Sequence, residues 1–184
     1  MSKITSTNTE KSIRKLSSSI NVYHTPWFNL IEKMFVDQDS PYYSLQMQDY
    51  VTAIAQTKKK EIIIVSQFRP CVEEYTFEFP SGHIGDGEDS TAAAVREFNE
   101  ETGYICKEIE LLGTLYSDTG RHENRLLCYW IEDAELQTTD YLEKNTISVH
   151  LKSKTQLKQM ITSGQFCHAL DIAVLGMAQV MGKL

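Results

Sequence analysis

Between Gly82 and Tyr104 the chain reads GHIGDGEDSTAAAVREFNEETGY, a glycine-rich turn running into a helical pattern that ends in Arg96-Glu97-Phe98-Asn99-Glu100-Glu101. Carboxylates at i, i+3 and i+4 project from one side of a helix. With Glu97 at zero and steps of about 100° per residue, Glu101 falls near roughly 40° and Glu100 near roughly −60°, while Val95, Phe98 and Thr102 lie toward about 100–160°. This spacing predicts an acidic side distinct from a buried side. Ala93 and Ala94 lie one turn below the carboxylates and leave them unshielded, and Gly103 ends the helix in a left-handed cap. Like charges at these spacings cost a few tenths of a kcal/mol per pair, and the C-terminal end of a helix dipole disfavours anions. A bound cation reverses both penalties. Clustered carboxylate oxygens are hard ligands that suit Mg²⁺, with Mn²⁺ as a substitute, and such an ion polarises a phosphoryl oxygen. The alternative for these residues alone is a solvated acidic face.

The 184 residues suffice for one domain with a substantial core. With 41% hydrophobic and 23% charged residues the composition is that of a globular protein, and no apolar run reaches bilayer length, so no membrane partner is expected. The first nineteen residues are polar, lack the apolar block of a signal peptide and predict a flexible tail, which together imply a cytoplasmic protein. A formal charge of −7 argues against a nucleic-acid partner bound through a basic surface, and leaves a small molecule. Cys71, Cys106, Cys128 and Cys167 form no CxxC pair and read as reduced core thiols, and none of the five histidines has metal-ligand spacing.

Residues 20–184 read as a single domain. Residues 20–50, with Tyr23, Trp27, Phe28, Tyr42 and Tyr43 broken by Pro26 and Pro41, predict a pair of short strands. Val51–Thr57, Glu61–Arg69 and Glu74–Phe79 predict strands, with Lys58-Lys59-Lys60 as a hairpin tip. After the acidic helix come strands over Lys107–Ser117 and Arg125–Ile131, separated by a polar loop from Asp118 to Asn124 placed to touch a ligand. An acidic irregular segment from Glu132 to Lys144, a strand over Thr146–Leu151 and helices over Lys154–Ile161 and about Cys167–Met181 complete the chain. Strands, helix, strands, helices predict an α/β fold, a mixed sheet between helices, without the βαβ alternation of a doubly wound fold.

The opening stretch resembles the signature of the Nudix hydrolase family, G-x(5)-E-x(7)-R-E-U-x-E-E-x-G-U with U bulky and apolar, at Gly82, Glu88, Arg96, Glu97, Phe98, Glu100, Glu101, Gly103 and Tyr104. Seven of these are fixed residue types, for which a chance match at a given start is on the order of 10⁻⁸, and this outweighs the solvated-face reading. The resemblance implies a Nudix-type α/β/α sandwich with a short N-terminal strand subdomain, and divalent-metal hydrolysis of a nucleoside diphosphate linked to another group. It implies Glu97 and Glu101 as metal ligands, Glu100 as a further ligand or water-orienting group, the Ser81 backbone carbonyl as another ligand, and a supporting ion pair between Glu88 and Arg96.

Ser66-Gln67-Phe68-Arg69-Pro70 and Glu78-Phe79-Pro80-Ser81-Gly82 resemble segments of the ADP-ribose and ADP-sugar pyrophosphatase branch. That likeness implies that Arg69 contacts a substrate phosphate, the alternative being a pair with Glu78 or Glu74, and it places Glu78 in the substrate region. It also implies a general base in a late loop, which aligns with Glu143, with Glu132, Asp133, Glu135 and Asp140 as rivals. Arg121 and Arg125 read as phosphate or ribose contacts or as surface charges, and Trp27 as a base-stacking residue or core. The branch commonly exchanges N-terminal strands between subunits, which implies a homodimer. Thr119 stands where many members carry the proline of Asp-Pro-Gly, which leaves the substrate open. The leading expectation is cleavage of ADP-ribose or a related nucleotide sugar to a nucleoside monophosphate and a sugar phosphate. The alternatives are a modified nucleoside triphosphate pyrophosphohydrolase and a non-catalytic nucleotide-sensing module.

Overall fold

A computed structural model describes residues 14–137 and 146–184. Its contacts divide into two units. One runs to Met47 and takes in Gly120–Glu123; the other comprises Gln48–Thr119 and Asn124–Leu184.

The first unit is an antiparallel sheet of three strands, β1 (Leu16–His24), β2 (Asn29–Phe35) and β3 (Tyr42–Gln46), in that order. It has one strand more than the pair expected, and β1 starts at Leu16, inside the segment read as tail. Every residue of β1 is exposed. Its backbone ladder to β2 rather than a buried stripe holds it, so no alternation of apolar residues marks it in the sequence. Gly120–Glu123 belongs to this unit because the Leu45 N–H donates to the Arg121 carbonyl (2.7 Å) and the Glu123 N–H to the Leu45 carbonyl (3.0 Å). Glu123 also meets Lys33 at 2.5 Å and accepts from the Ser44 hydroxyl.

The second unit is built on a mixed sheet. Strands β4 (Tyr50–Thr57), β5 (Ile62–Arg69), β6 (Glu74–Glu78) and β7 (Ser81–His83) precede helix α1 (Ser90–Thr102). After it come β8 (Tyr104–Ile105), β9 (Ile109–Tyr116), β10 (Arg125–Leu136), β11 (Ser148–Lys152), α2 (Lys154–Thr162) and α3 (Ala169–Val180). The path β11-β5-β4-β10-β8 is extended by β6 on β5, β7 on β4 and β9 on β10; β4 and β10 are parallel and the other pairs antiparallel.

Period-two alternation makes this a sandwich, as expected. Val51, Ala53 and Ala55 of β4, Ile63 of β5 and Tyr129 and Ile131 of β10 turn to one side, where they pack with Ala93, Ala94 and Phe98 of α1. Ile54, Ile62, Ile64, Cys128 and Trp130 turn to the other, against Leu157 of α2 and Val174 and Leu175 of α3. Alanines on both surfaces of the α1 contact let the helix lie close to the strands.

The segment read as acidic and irregular from Glu132 begins as the continuation of β10 to Leu136. Its acids face the β4–β5 turn, where Lys58 Nζ lies 2.6 Å from Glu135 Oε1 and Lys60 Nζ 2.6 Å from Glu132 Oε1. The lysine run forms the hairpin tip expected of it, with Lys60 in the left-handed region at φ 61°. No helix among the described residues is long and apolar enough to cross a membrane.

Candidate active site

Asp89 caps α1, its Oδ1 accepting from the Thr91 N–H (3.0 Å) and the Ala92 N–H (3.1 Å). Gly103 closes the other end at φ 71°, its N–H donating to the Asn99 carbonyl. The buried side chains of α1 are Ala93, Ala94, Phe98, Glu101 and Thr102, so the buried face is centred nearer Ala94 and Glu101 than the sequence implied. Val95 is exposed, Ala93 and Ala94 lie under the helix against β4, and Glu101 is only 9% exposed. A phase assigned by hydrophobicity alone puts every glutamate outside. Two of these three are instead drawn toward the sheet, and only Glu100 faces solvent.

What draws them is the segment from Glu78 to His83. Pairing of β7 with β4 sets Ser81 opposite Thr52 and Gly82 opposite Val51. The Pro80 carbonyl accepts from the Ala53 N–H at 3.0 Å, and the Ser81 N–H donates to Glu101 Oε2 at 2.9 Å. Gly82 lies directly under the Glu97 carboxylate, in space that a Cβ would occupy.

One guanidinium organises the remaining charge. Arg96 gives Nε to Glu88 Oε1 and Nη2 to Glu88 Oε2, both at 2.9 Å, and Nη1 to Glu97 Oε1 at 2.7 Å and Glu100 Oε2 at 3.4 Å. It also donates to the His83 carbonyl at 3.1 Å. The fork on Glu88 is the supporting pair expected. Hydrogen bonds from Arg96 and from the Gly85 N–H hold the Glu88 carboxyl down at about 2. Glu101 behaves oppositely. Burial, with the charges of Glu97 and Glu78 nearby, pushes it up to about 7, against the Ser81 N–H and Arg69, which pull it down.

This donor chemistry fits a hard divalent ion. Glu101 is a desolvated carboxylate short of positive charge, Glu97 shares its corner of the site, and both adjoin Ser81 and Gly82. Among the described residues no three acidic, histidine or cysteine side chains are gathered to hold an ion unaided. A hard divalent ion can be held by one or two carboxylates with waters completing its shell.

Arg69, at the end of β5, forks onto Glu78, with Nε 2.8 Å from Oε1 and Nη2 on Oε2, and Thr76 Oγ1 adds a bond to Oε1 at 2.5 Å. Burial raises the Glu78 carboxyl, but these bonds outweigh it and hold it below the usual range. Arg69 remains 41% exposed and its charge reaches Glu101. Arg69→Met would leave the buried Glu78 without its cation. A loss of about 1–3 kcal/mol in urea unfolding is expected, below the value for a fully buried pair because Arg69 is partly solvated.

Of the other expected contacts, Arg125 lines one cavity with Glu88 and the loop before α1. Arg125 is tied to Asp49, its Nε 2.9 Å and Nη2 2.5 Å from Oδ2 and its N–H 2.6 Å from Oδ1. Arg121 belongs to the N-terminal unit, where Nη1 donates to Tyr42 Oη at 3.2 Å and the guanidinium lies 5.7 Å from the Tyr42 ring centre. Trp27 lies in the β1–β2 turn and is 77% exposed, so it is not core. Glu143 and its rival Asp140 lie outside the described residues, and the rivals Glu132 and Glu135 are engaged with lysines. Asp49, Thr76 and Asp89 went unnoticed from sequence; of these, Asp89 carried a signal, an N-cap residue directly before the helical run.

The NUDIX domain profile matches residues 47–152, more than half of the chain. This chain belongs to the Nudix family. Among relatives of the Nudix chain, an ADP-ribose pyrophosphatase of Saccharomyces cerevisiae is 32% identical over 133 residues, 66% of this chain and 56% of that protein. An ADP-sugar pyrophosphatase of Mus musculus is 48% identical over 59 residues, 32% of this chain and 27% of that protein. A methanol dehydrogenase activator of Bacillus methanolicus is 39% identical over 70 residues, 38% of each. The match therefore spans little more than half the length of the yeast relative and less of the others. A solved structure described as an ADP compounds hydrolase superposes with a TM-score of 0.77 at 16% identity, over 95% of this chain and all of the other, which shows the shared fold.

Proposed function

We propose that this Nudix chain hydrolyses the pyrophosphate bond of a nucleoside diphosphate linked to another group, with ADP-ribose or a related nucleotide sugar as substrate and Mg²⁺ as the working ion, replaceable by Mn²⁺. The products are a nucleoside monophosphate and a sugar phosphate. The observation that carries this reading is the convergence of Glu97 and Glu101 on the Ser81–Gly82 backbone. The names of the yeast and mouse relatives support the substrate class.

In this reading Glu97, Glu101 and the Ser81 carbonyl hold the ion, and Glu100 is a further ligand or orients water from its exposed position. The bound ion supplies Lewis acidity toward the diphosphate oxygens and the attacking water. Arg96 keeps Glu97 and Glu100 from repelling one another and, through Glu88, fixes the loop before α1. Arg69, braced by Glu78, offers its exposed edge to a substrate phosphate. Arg121, Arg125 and Trp27 are assigned to the nucleotide or sugar, and Glu143 to the general base. The exposed strand β1, with Ile20, Val22 and Tyr23 open to solvent, supports a homodimer.

The test is a panel of nucleotide sugars, dinucleotides and triphosphates with Mg²⁺ and Mn²⁺, with products identified by mass. Nucleoside monophosphate and sugar phosphate from a nucleotide sugar is the expected result. Diphosphate released from triphosphates with nucleotide sugars untouched would replace it by the housecleaning reading. Tight ADP-ribose binding without turnover under either ion would make the protein a sensor.

A further inference from the structure

Asp171 is an acid in the first turn of the apolar helix α3, 2% exposed, on the far side of the sheet from α1. An unpaired carboxylate at such a place would be strongly destabilising. Its Oδ2 instead accepts from the Phe79 N–H at 2.8 Å and lies 3.1 Å from His168 Nδ1. The Phe79 ring packs on Phe166 with centroids 5.2 Å apart, so backbone and ring of Phe79 are both fastened to the C-terminal part of the chain.

Phe79 opens the segment that frames the site. The Phe79 N–H goes to Asp171, the Pro80 carbonyl to the Ala53 N–H, the Ser81 N–H to Glu101, and Gly82 packs under Glu97. Four successive residues are thus held by α3, β4 and α1 in turn. Proline at 80 has no N–H to give, so the Phe79 N–H is the last donor by which the chain can be anchored before Ser81. An outer hydrogen bond that fixes a ligand's orientation typically changes metal affinity 10–100-fold when removed.

We propose that Asp171 is a positioning residue for the metal site, holding the Phe79–Gly82 backbone so that the Ser81 carbonyl and the Glu97 and Glu101 carboxylates meet one ion. This rests on the reading of Glu97, Glu101 and Ser81 as the ion's ligands. What matters is the acceptor oxygen on the Phe79 N–H, which His168 Nδ1 adjoins at 3.1 Å.

The test is Mn²⁺ binding to the full chain without substrate, followed by the loss of the free-ion paramagnetic resonance signal and by calorimetry. Asp171→Asn keeps an acceptor at the same reach; Asp171→Ala and Asp171→Leu remove it, the leucine filling the space should the alanine variant not fold. We expect the asparagine variant within about threefold of wild type and the alanine and leucine variants weaker by about 10–100-fold, with kcat largely recovered at high Mn²⁺. Folded alanine or leucine variants that bind Mn²⁺ as wild type does would overturn the proposal, as would an asparagine variant as weak as alanine. Wild-type protein that takes up no Mn²⁺ would instead overturn the functional reading beneath it.

Discussion

Replacing Glu101 by glutamine is expected to cut kcat/KM on the best nucleotide sugar by about 10²–10⁴-fold at saturating Mg²⁺, and to make the metal-free protein more stable. The loss follows from removing a ligand charge that would hold the ion on the diphosphate, an effect worth several kcal/mol. The gain follows from the burial of Glu101, whose carboxyl is pushed from the ordinary 4.5 up to about 7. Below pH 4.5 folded and unfolded chains both hold the proton and the group contributes no pH dependence. As pH rises the unfolded chain releases it first, so folded stability falls until about pH 7 and stays low above it. Glutamine carries no such charge and keeps an oxygen for the Ser81 N–H. With chelator at pH 8, urea unfolding is expected to show the variant more stable by about 3 kcal/mol, with the difference gone at pH 4. A variant that turns over like wild type would remove Glu101 from the ligand set. Equal stabilities at pH 8 would mean that the acid is already compensated in the metal-free chain.

Gly82→Ala is expected to separate activity from folding more sharply. Gly82 is not in the left-handed region, so alanine meets no backbone obstacle. The new methyl group would collide with the carboxylate of Glu97, the far end of a side chain able to swing away. Stability should change by no more than about 1 kcal/mol, while the displaced ligand lowers kcat/KM by about 10²-fold or more. Thermal unfolding alongside initial rates checks it. Wild-type rates would show that Glu97 does not work from its place above Gly82.

The signature was legible because its spacing is a backbone requirement: a glycine where a carboxylate overlies the chain, Glu88 and Arg96 within reach across a turn, and a left-handed residue at Gly103. The sandwich was legible because β4, β5 and β10 alternate between two cores. The phase of α1 was not, since a wheel scored by hydrophobicity counts Glu97 and Glu101 as solvent-facing, and only contact with Ser81 and Gly82 explains why Glu101 is buried and Glu97 half-buried. Asp171 was illegible for a related reason: its main partner is a backbone N–H 92 residues away, which leaves no trace in residue types. For Arg69 the sequence offered two roles, a phosphate contact and a pair with Glu78. The structure shows the pair, and the substrate panel addresses the contact.

The alanines between α1 and β4 give the site a mechanical tolerance. Ala53, Ala55, Ala93 and Ala94 are buried in the core that α1 shares with β4 and put little side-chain volume between helix and strand. From there the acids reach the Ser81–Gly82 backbone of β7, the strand paired with β4. Any methyl group added at these four positions acts as a shim, lifting the acidic helix off the strand that carries its partner. Four residues with no chemistry of their own therefore set the working clearance of the site.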